Sequence, residues 1–271
     1  MVKPLAVAVA GLGAIGTKVA NTLDAGGIPG LALVAVSGRD PDKTHVVAAQ
    51  LACKPDVAKT ESLAARADII VDCAPSAAFA GLARSVVAAG RVLVTVNAGA
   101  LLQHLDLVEA AKATGGRILV PTGALLGLDA VRAAAEGSIG RVTMITRKPP
   151  NGLEGAPYLV QHGISLKGLN AAKRVFQGSA AEGAKGFPAN VNVAAALGLA
   201  GIGPDKTTLE IWADPDVDRN IHRIEVEADS ARFSLQIENV PSLENPRTGK
   251  ITALSVLACL RGMVAPLRVG T

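Results

Sequence analysis

A glycine-rich segment near the start of the chain carries the clearest chemical signal in the sequence. Gly11, Gly13 and Gly16, with Ala14 and Ile15 among them, form the pattern G-x-G-x-x-G after an apolar run. In this setting the first glycine permits a tight turn, the second lets the backbone approach a pyrophosphate, and the third lets a helix pack closely on a strand. The N–H groups of that helix then face the phosphates. The segment predicts a dinucleotide site, with a merely structural glycine turn as the alternative.

The residues after the second predicted strand bear on which dinucleotide is bound. An acid there bonds the ribose 2′-hydroxyl of NAD, whereas an arginine accommodates the 2′-phosphate of NADP. The sequence has Gly38 in the expected acidic position, then Arg39, while Asp40 before Pro41 predicts a helix N-cap. We therefore expect NADP to be used at least comparably to NAD, with Arg39 as the phosphate ligand. A solvated Arg39 is the alternative.

Two further loops are predicted at the same edge of the sheet, where ligands of open α/β folds bind. Ala74 and Pro75 follow one predicted strand, and residues 97–100 follow the next. Small residues and a proline suit loops that border the nicotinamide ribose. Cys73 is interpreted as a small buried hydrophobic residue rather than a nucleophile.

The elements that hold these loops alternate as in a doubly wound α/β fold. Short β-branched runs predict strands at residues 5–10, 32–37, 69–72, 92–96 and 118–120. Alanine-rich segments between them predict helices at residues 14–25, 42–51, 77–89 and 101–113. This alternation predicts a Rossmann-type parallel sheet, a dinucleotide-binding domain of residues 1–125.

The pattern changes after residue 125. Helices are predicted at residues 129–136, 191–199 and 251–261, and strands at 141–147, 207–213, 222–228 and 232–238. Residues 149–168 are rich in glycine and proline and predict an irregular active-site loop. We expect residues 126–271 to form a smaller α+β substrate domain, with the terminal helix 251–261 returning to the first domain.

Several segments give the chain a resemblance to a known family. Beside the glycine turn they lie at residues 97–101, 122–125, 146–150, 187–194, 218–222 and 238–246. The last three lie outside the widespread nucleotide fold and are therefore specific. The chain resembles the L-aspartate dehydrogenases, which join a homoserine-dehydrogenase-like nucleotide domain to a distinctive C-terminal domain. The resemblance covers nearly the whole chain.

That resemblance implies a reaction and some of its residues. The reaction is the reversible oxidative deamination of L-aspartate to oxaloacetate and ammonia through iminoaspartate, with NAD or NADP as hydride acceptor; the imine can feed pyridine nucleotide synthesis. By position, the resemblance implies that His222 is the active-site histidine. It also implies dinucleotide contacts from Ala124 and from Asn190 or Asn192. A dehydrogenase of a related amino acid or an aldehyde, and a catalytically silent NADP-binding sensor, are the alternatives.

Proton transfers on the amine and on the attacking water suit a histidine whose pKa lies near neutrality. His222 lies at the start of a predicted strand, where Asn220 shares its face. His162, in the predicted irregular loop, is the second candidate for this role and is also predicted to bind the substrate. His45 and His104 fall on predicted helices and are expected to be solvated.

A dicarboxylate substrate suits a pocket that supplies cations. Arg147 and Lys148 end a predicted strand just before the irregular loop, so either is a candidate carboxylate ligand. Solvated surface charges are the alternative for both residues.

Composition limits the remaining classes of protein. Aromatic residues make up 2% of the chain, which disfavours nucleic-acid binding by base stacking, and the net charge of +4 suits a small anionic ligand. Three dispersed cysteines predict neither a disulfide framework nor a metal site, and they favour a cytoplasmic protein. The uncharged stretch 186–204 is too interrupted by Pro and Gly for a membrane span, and the outline of a signal peptide at residues 4–16 fits a buried strand and glycine turn better. A half-exposed sheet in the second domain favours a homodimer.

Overall fold

A computed structural model describes residues 3–188, 191–242 and 248–270. The chain forms two compact units. One contains Met1–Pro121 with Ala253–Arg268, and the other contains Thr122–Thr252 with Val269–Thr271. Within the described ranges, no helix combines the length and the apolar character needed to cross a membrane.

The first unit is built on a six-stranded parallel sheet, which confirms the predicted Rossmann-type fold. In chain order its strands are β1 Leu5–Ala10, β2 Leu31–Ser37, β3 Asp56–Val57, β4 Ile69–Asp72, β5 Val92–Thr95 and β6 Arg117–Leu119. Their order in the sheet is β3-β2-β1-β4-β5-β6. The order reverses at β1, so the carboxyl ends of β1 and β4 flank the crevice where such sheets bind ligands. Strand β3 was not predicted because two residues carry no hydrophobic pattern.

Helices cover the first sheet. They are α1 Ala14–Asp24, α2 Pro41–Gln50, α3 Phe79–Ala88, α4 Ala98–Leu101 and α5 Asp106–Thr114, with 3-10 turns at Thr60–Ala65 and Ser76–Ala78. The Asp40 carboxylate accepts the Lys43 N–H at 3.2 Å, which confirms the predicted N-cap. The prediction of a single helix at residues 101–113 is wrong, because the helical conformation is interrupted between α4 and α5. Leu101 and Leu107 are both buried, whereas one continuous helix would place positions six apart on faces about 120° from each other.

The first sheet also packs against a helix from the end of the chain. The last helix, α10, spans Lys250–Val264. Val256 and Leu260 are fully buried in the same cluster as Val7 and Val9 of β1. The Arg261 guanidinium donates to the Gly27 carbonyl at 2.7 Å. This helix therefore contributes to the hydrophobic core of the first unit.

The second unit is built on a five-stranded mixed sheet. Its strands are β7 Ile139–Lys148, β8 Lys173–Ser179, β9 Thr208–Ala213, β10 Ile221–Ala228 and β11 Arg232–Glu238, in the order β11-β10-β7-β9-β8. Strands β7 and β9 are parallel, and the other neighbours are antiparallel. Burial alternates along β7, β9 and β10, so one face packs on the core and the other is more accessible. Strand β8 and the helix after it were not predicted.

The helices of the second unit are α6 Leu128–Ala135, α7 Pro157–Gln161, α8 Ala180–Gly186 and α9 Asn192–Ala200. The stretch predicted to be irregular, residues 149–168, contains α7 and a 3-10 turn at Pro150–Gly152. Pro157 starts α7 at its first position, where a proline fits a helix. The Tyr158 ring then packs against Phe176 and Phe187, with centroids 5.2 and 5.4 Å away. These tertiary contacts, which the local pattern does not reveal, stabilise the short helix.

Candidate functional site

The glycine turn between β1 and α1 has the geometry that a dinucleotide requires. Gly11 has φ +88°, and a β-carbon there would lie 2.6 Å from the Cys73 carbonyl oxygen. A β-carbon on Gly16 would overlap the carbonyl of Gly11. The corresponding space at Gly13 is open. Two glycines are thus demanded by the fold itself, and the third leaves room for a ligand to approach the backbone.

The start of α1 is suited to an anion. Gly13 is its N-cap and supplies no side chain, and there is no acidic residue in the first turn. The N–H groups of Ala14 and Ile15 at this end carry the positive pole of the helix dipole. The site therefore fits the pyrophosphate of a dinucleotide, with the backbone rather than side chains as its ligand.

The carboxyl end of β2 leaves no space for the acid of an NAD-specific site. A β-carbon on Gly38 would overlap the Thr44 hydroxyl oxygen. Thr44 is buried and donates that hydroxyl to the Asp40 carbonyl at 2.7 Å. Arg39 follows Gly38 and is exposed. The sequence did not reveal this contact between position 38 and Thr44, since only the folded turn brings the two together.

A buried polar network lies at the carboxyl ends of β4 and β5. The Asp72 carboxylate accepts from the Thr95 hydroxyl at 2.7 Å, the Asn97 amide at 2.9 Å and the Ala74 N–H at 3.1 Å. The Asn97 amide also donates to the Ala74 carbonyl at 2.9 Å. The network therefore fixes the loop that contains Ala74 and Pro75. Sequence reasoning missed it, because its members come from different strands.

The thiol of Cys73, beside this network, is unsuited to nucleophilic chemistry. Burial, followed by the negative charge of Asp72, raises the pKa of the Cys73 thiol far above its ordinary value. A thiol held in its protonated form is a poor nucleophile. This agrees with the interpretation of Cys73 as a small hydrophobic residue.

In the second unit, three polar side chains share the face of the sheet that packs on the core, which we call the covered face. His222 on β10 lies opposite Thr146 on β7, and its Nδ1 is 3.1 Å from the Thr146 hydroxyl oxygen. Lys148 is two residues beyond Thr146, so strand alternation puts it on the same face. His222 is 2% exposed and Lys148 is 5% exposed. Both residues were sequence candidates, and the sheet brings them together.

Burial changes the charge state of both groups. Desolvation lowers the pKa of Lys148 from 10.5 to about 8. Desolvation, and then the positive charge of Lys148, lowers the pKa of His222 from 6.5 to about 3. The expectation of a histidine that titrates near neutrality is therefore wrong for His222, because its surroundings disfavour the imidazolium. At pH 7 this face carries a neutral imidazole and a lysine cation that deprotonates readily.

Arg147 lies on the other face of the same sheet. Its side chain is 46% exposed, and its Nε is 3.1 Å from a carboxylate oxygen of Asp214. It borders a cavity of about 230 Å³ together with Trp212, Ile221 and Arg223. Strand alternation therefore separates Arg147 from Lys148 and His222, and of the two predicted cations only Lys148 shares a face with the histidine.

His162 is held by its own helix. It follows α7 and is exposed, its Nδ1 donates to the Tyr158 carbonyl at 2.8 Å, and its ring stacks on the Tyr158 ring with centroids 4.0 Å apart. These contacts explain the position of His162 by local packing. Elsewhere, His45 is exposed as expected, whereas His104 is half-buried and stacks on Phe79.

The remaining candidates lie in the second unit. The Ala124 carbonyl accepts the Asn239 amide at 3.0 Å, and this bond from a buried side chain fixes the loop before α6. Asn192 is the first residue of α9. Asn190 lies outside the described residues. The dinucleotide contacts of Ala124, Asn190 and Asn192 stay predictions.

Comparison with known families matches both parts of the chain. Residues 11–121 match the family described as homoserine dehydrogenase, NAD binding domain. Residues 129–263 match the family described as aspartate dehydrogenase, C-terminal. The two matches leave residues 122–128 between them, close to the division between the compact units.

Individual relatives extend over the full length of the chain. An L-aspartate dehydrogenase of Bradyrhizobium diazoefficiens is 56% identical over 267 residues, which cover 98% of this chain and 94% of the relative. L-aspartate dehydrogenase 3 of Bordetella bronchiseptica is 52% identical and covers 98% of both chains. The crystal structure of an aspartate dehydrogenase from Thermotoga maritima superposes with a TM-score of 0.73, at 22% identity and over 98% of this chain and 99% of that one. The last comparison concerns the fold.

Proposed function

Because the chain belongs to the L-aspartate dehydrogenase family, we propose that it catalyses the oxidative deamination of L-aspartate. Loss of a hydride from Cα and of a proton from nitrogen gives iminoaspartate. Water then adds to the imine and ammonia leaves, which gives oxaloacetate. A bound dinucleotide would supply the redox chemistry as the acceptor of that hydride. Every other requirement, namely binding the dicarboxylate and moving protons, falls on side chains of this protein.

The single observation that carries the proposal is the presence of Lys148 beside His222 on the covered sheet face. A buried cation with little competing water attracts a carboxylate more strongly than a surface lysine does. Aspartate carries one carboxylate more than a monocarboxylic amino acid, so such a cation favours it. We assign Lys148 as a ligand of one substrate carboxylate, and binding of that carboxylate would raise the pKa of the lysine.

His222 serves the proton transfers in its neutral form. Its Nδ1 is engaged with the Thr146 hydroxyl, so proton exchange with the substrate or an attacking water runs through Nε2. A neutral imidazole accepts a proton from water as the water adds to the imine. The low pKa of His222, about 3, keeps the imidazole neutral throughout the physiological range, and it also makes His222 a weaker base than a histidine that titrates near neutrality.

The cofactor is proposed to be NADP at least as readily as NAD. The overlap between a side chain at position 38 and Thr44 argues against a ribose-binding acid there. Arg39, exposed at the end of β2, is assigned to the 2′-phosphate, for which a guanidinium is well suited.

The test of the function is a spectrophotometric assay with purified protein at alkaline pH. L-aspartate with either dinucleotide should produce the reduced nicotinamide absorbance, and D-aspartate, L-glutamate and L-homoserine should give much lower kcat/KM. Higher kcat/KM with homoserine or another substrate would assign a different dehydrogenase. Dinucleotide binding without turnover of any of these substrates would assign a sensor.

We also propose a cytoplasmic homodimer. Free thiols at Cys53, Cys73 and Cys259 suit a reducing compartment. The accessible sheet face offers half-buried Ile145 and Trp212 to a second copy, and an isologous contact of this kind is common. Sedimentation should give twice the 27.4 kDa chain mass, and Ile145→Asp should give the monomer. A wild-type monomer would refute the dimer.

A further inference from the structure

Asp72 is surrounded by donors. The hydrogen-bond partners of its carboxylate are a backbone N–H and an amide NH₂, which cannot accept, and the Thr95 hydroxyl. That hydroxyl also accepts the Asn97 N–H at 3.0 Å, while its own proton is donated to Asp72. Burial raises the pKa of the Asp72 carboxyl above its ordinary value, and the hydrogen bonds from Asn97, Thr95 and Ala74 oppose that rise. Two of the three partners can only donate, so this set of partners favours the ionised carboxylate over the protonated form. The Asp72 side chain is fully buried, so its ionised form places a negative charge inside the protein.

The place of this charge relative to the nucleotide site follows from the sheet order. Strand β1 carries the glycine turn, β2 adjoins it on one side and β4 on the other. The adenosine ribose of a dinucleotide lies at the end of β2 in such folds, so the nicotinamide half extends past β4 and β5. Asp72 ends β4 directly opposite Ala10, and the Cys73–Ala74 backbone touches the glycine turn at Gly11.

We propose that Asp72 is a positioning residue of the nucleotide site whose buried negative charge favours the oxidised over the reduced dinucleotide. This inference rests on the dinucleotide binding of the proposed function. The oxidised nicotinamide ring carries a positive charge and the reduced ring carries none. A nearby anion in a medium of low dielectric therefore stabilises the first and is indifferent to the second. Thr95 and Asn97 hold the carboxylate and the Ala74 loop in place.

A consequence concerns the hydride. Tighter binding of the oxidised form makes the bound reduced dinucleotide a stronger hydride donor, because the two affinities and the potential of the bound couple are thermodynamically linked. The same residue therefore affects the equilibrium between bound aspartate and bound imine without touching either. No acid–base role for Asp72 is needed.

The experiment measures Kd for NADP⁺ and NADPH, and for NAD⁺ and NADH, by titration calorimetry and by fluorescence of the reduced forms. Asp72→Asn keeps the shape and removes the charge, so Kd for the oxidised form should rise about fivefold more than Kd for the reduced form, equivalent to ~1 kcal/mol. Thr95→Val keeps the charge and removes one donor, so it should weaken both forms by similar factors. Thr95→Ser restores the hydroxyl and should restore both affinities.

The outcomes separate the inference from the function on which it rests. If Asp72→Asn leaves the ratio of the two Kd values unchanged, the charge has no role and the inference is overturned. If the wild type binds neither the oxidised nor the reduced dinucleotide, the proposed function itself is refuted. Thermal unfolding of each variant identifies loss of folding, and Asp72→Ser, also uncharged, replaces Asp72→Asn if the asparagine variant does not fold.

Discussion

Replacing Lys148 by methionine tests the charge state of the covered sheet face. Below pH 8 this lysine is charged in both the folded and the unfolded chain, and folding bears the net cost of burying the cation. Between pH 8 and 10.5 the unfolded chain binds more protons than the folded one, so stability rises with pH over that interval. At ~1.4 kcal/mol per pH unit, the interval corresponds to about 3 kcal/mol of stability that the charged lysine removes at pH 7.

Lys148→Met should therefore raise the free energy of unfolding at pH 7 by up to about 3 kcal/mol. The gain should shrink progressively above pH 8 and vanish near pH 10.5. The same variant should raise the KM for aspartate at least about tenfold, since a hydrogen bond between charged groups contributes roughly 1.5–3 kcal/mol. Urea unfolding followed by the fluorescence of the single tryptophan, Trp212 on β9 of the same sheet, measures the first effect. Initial rates against aspartate concentration measure the second.

The matched control is Lys173→Met, at the exposed start of β8 in the same sheet. It removes the same charge from the surface and should change neither quantity measurably. A loss of stability at pH 7 in Lys148→Met would show that the contacts of the buried ammonium outweigh the cost of its desolvation. An unchanged KM for aspartate would show that the substrate carboxylates are bound elsewhere.

The remaining predictions concern the other assigned residues. The KM of the wild type for aspartate should rise above pH 8 as Lys148 loses its proton, and a flat pH profile would contradict that role. His222→Ala should lower kcat by about 10²–10⁴-fold. The Kd of this variant for the dinucleotide should stay within about twofold of the wild-type value, which is close to the error of a titration. A kcat near that of the wild type would show that His222 is purely structural. Stability should fall as pH drops from 6.5 towards 3, because the unfolded chain protonates His222 first, and a His222→Gln variant should lose less in acid urea titrations. Arg39→Ala should raise the KM for NADP far more than the KM for NAD. Equal changes in the two KM values would refute the assignment of Arg39 to the 2′-phosphate.

The nucleotide-binding half was predictable from local sequence. The strand, the glycine turn and the helix of residues 5–24 are contiguous, and a β-carbon on Gly16 would overlap Gly11 of the same segment. Asp40 as an N-cap depends likewise on residues three positions away. The segments that carry the family resemblance depend on residue identity alone. Local patterning therefore determined the fold class, the dinucleotide site and the family.

The chemistry of the second unit was decided by tertiary structure. Sequence proposed Arg147 and Lys148 alike, and only the pairing of β7 with β10 put Lys148 on the face of His222 and Arg147 on the other. The sequence likewise could not show that burial lowers the pKa of His222 to about 3, or that Asp72 would end among donors from β5. The desolvation of His222 and its hydrogen bond to Thr146, like the bond between Asp72 and Thr95, depend on residues more than twenty positions away in the chain. A local sequence pattern does not show which distant residues will pack beside a strand.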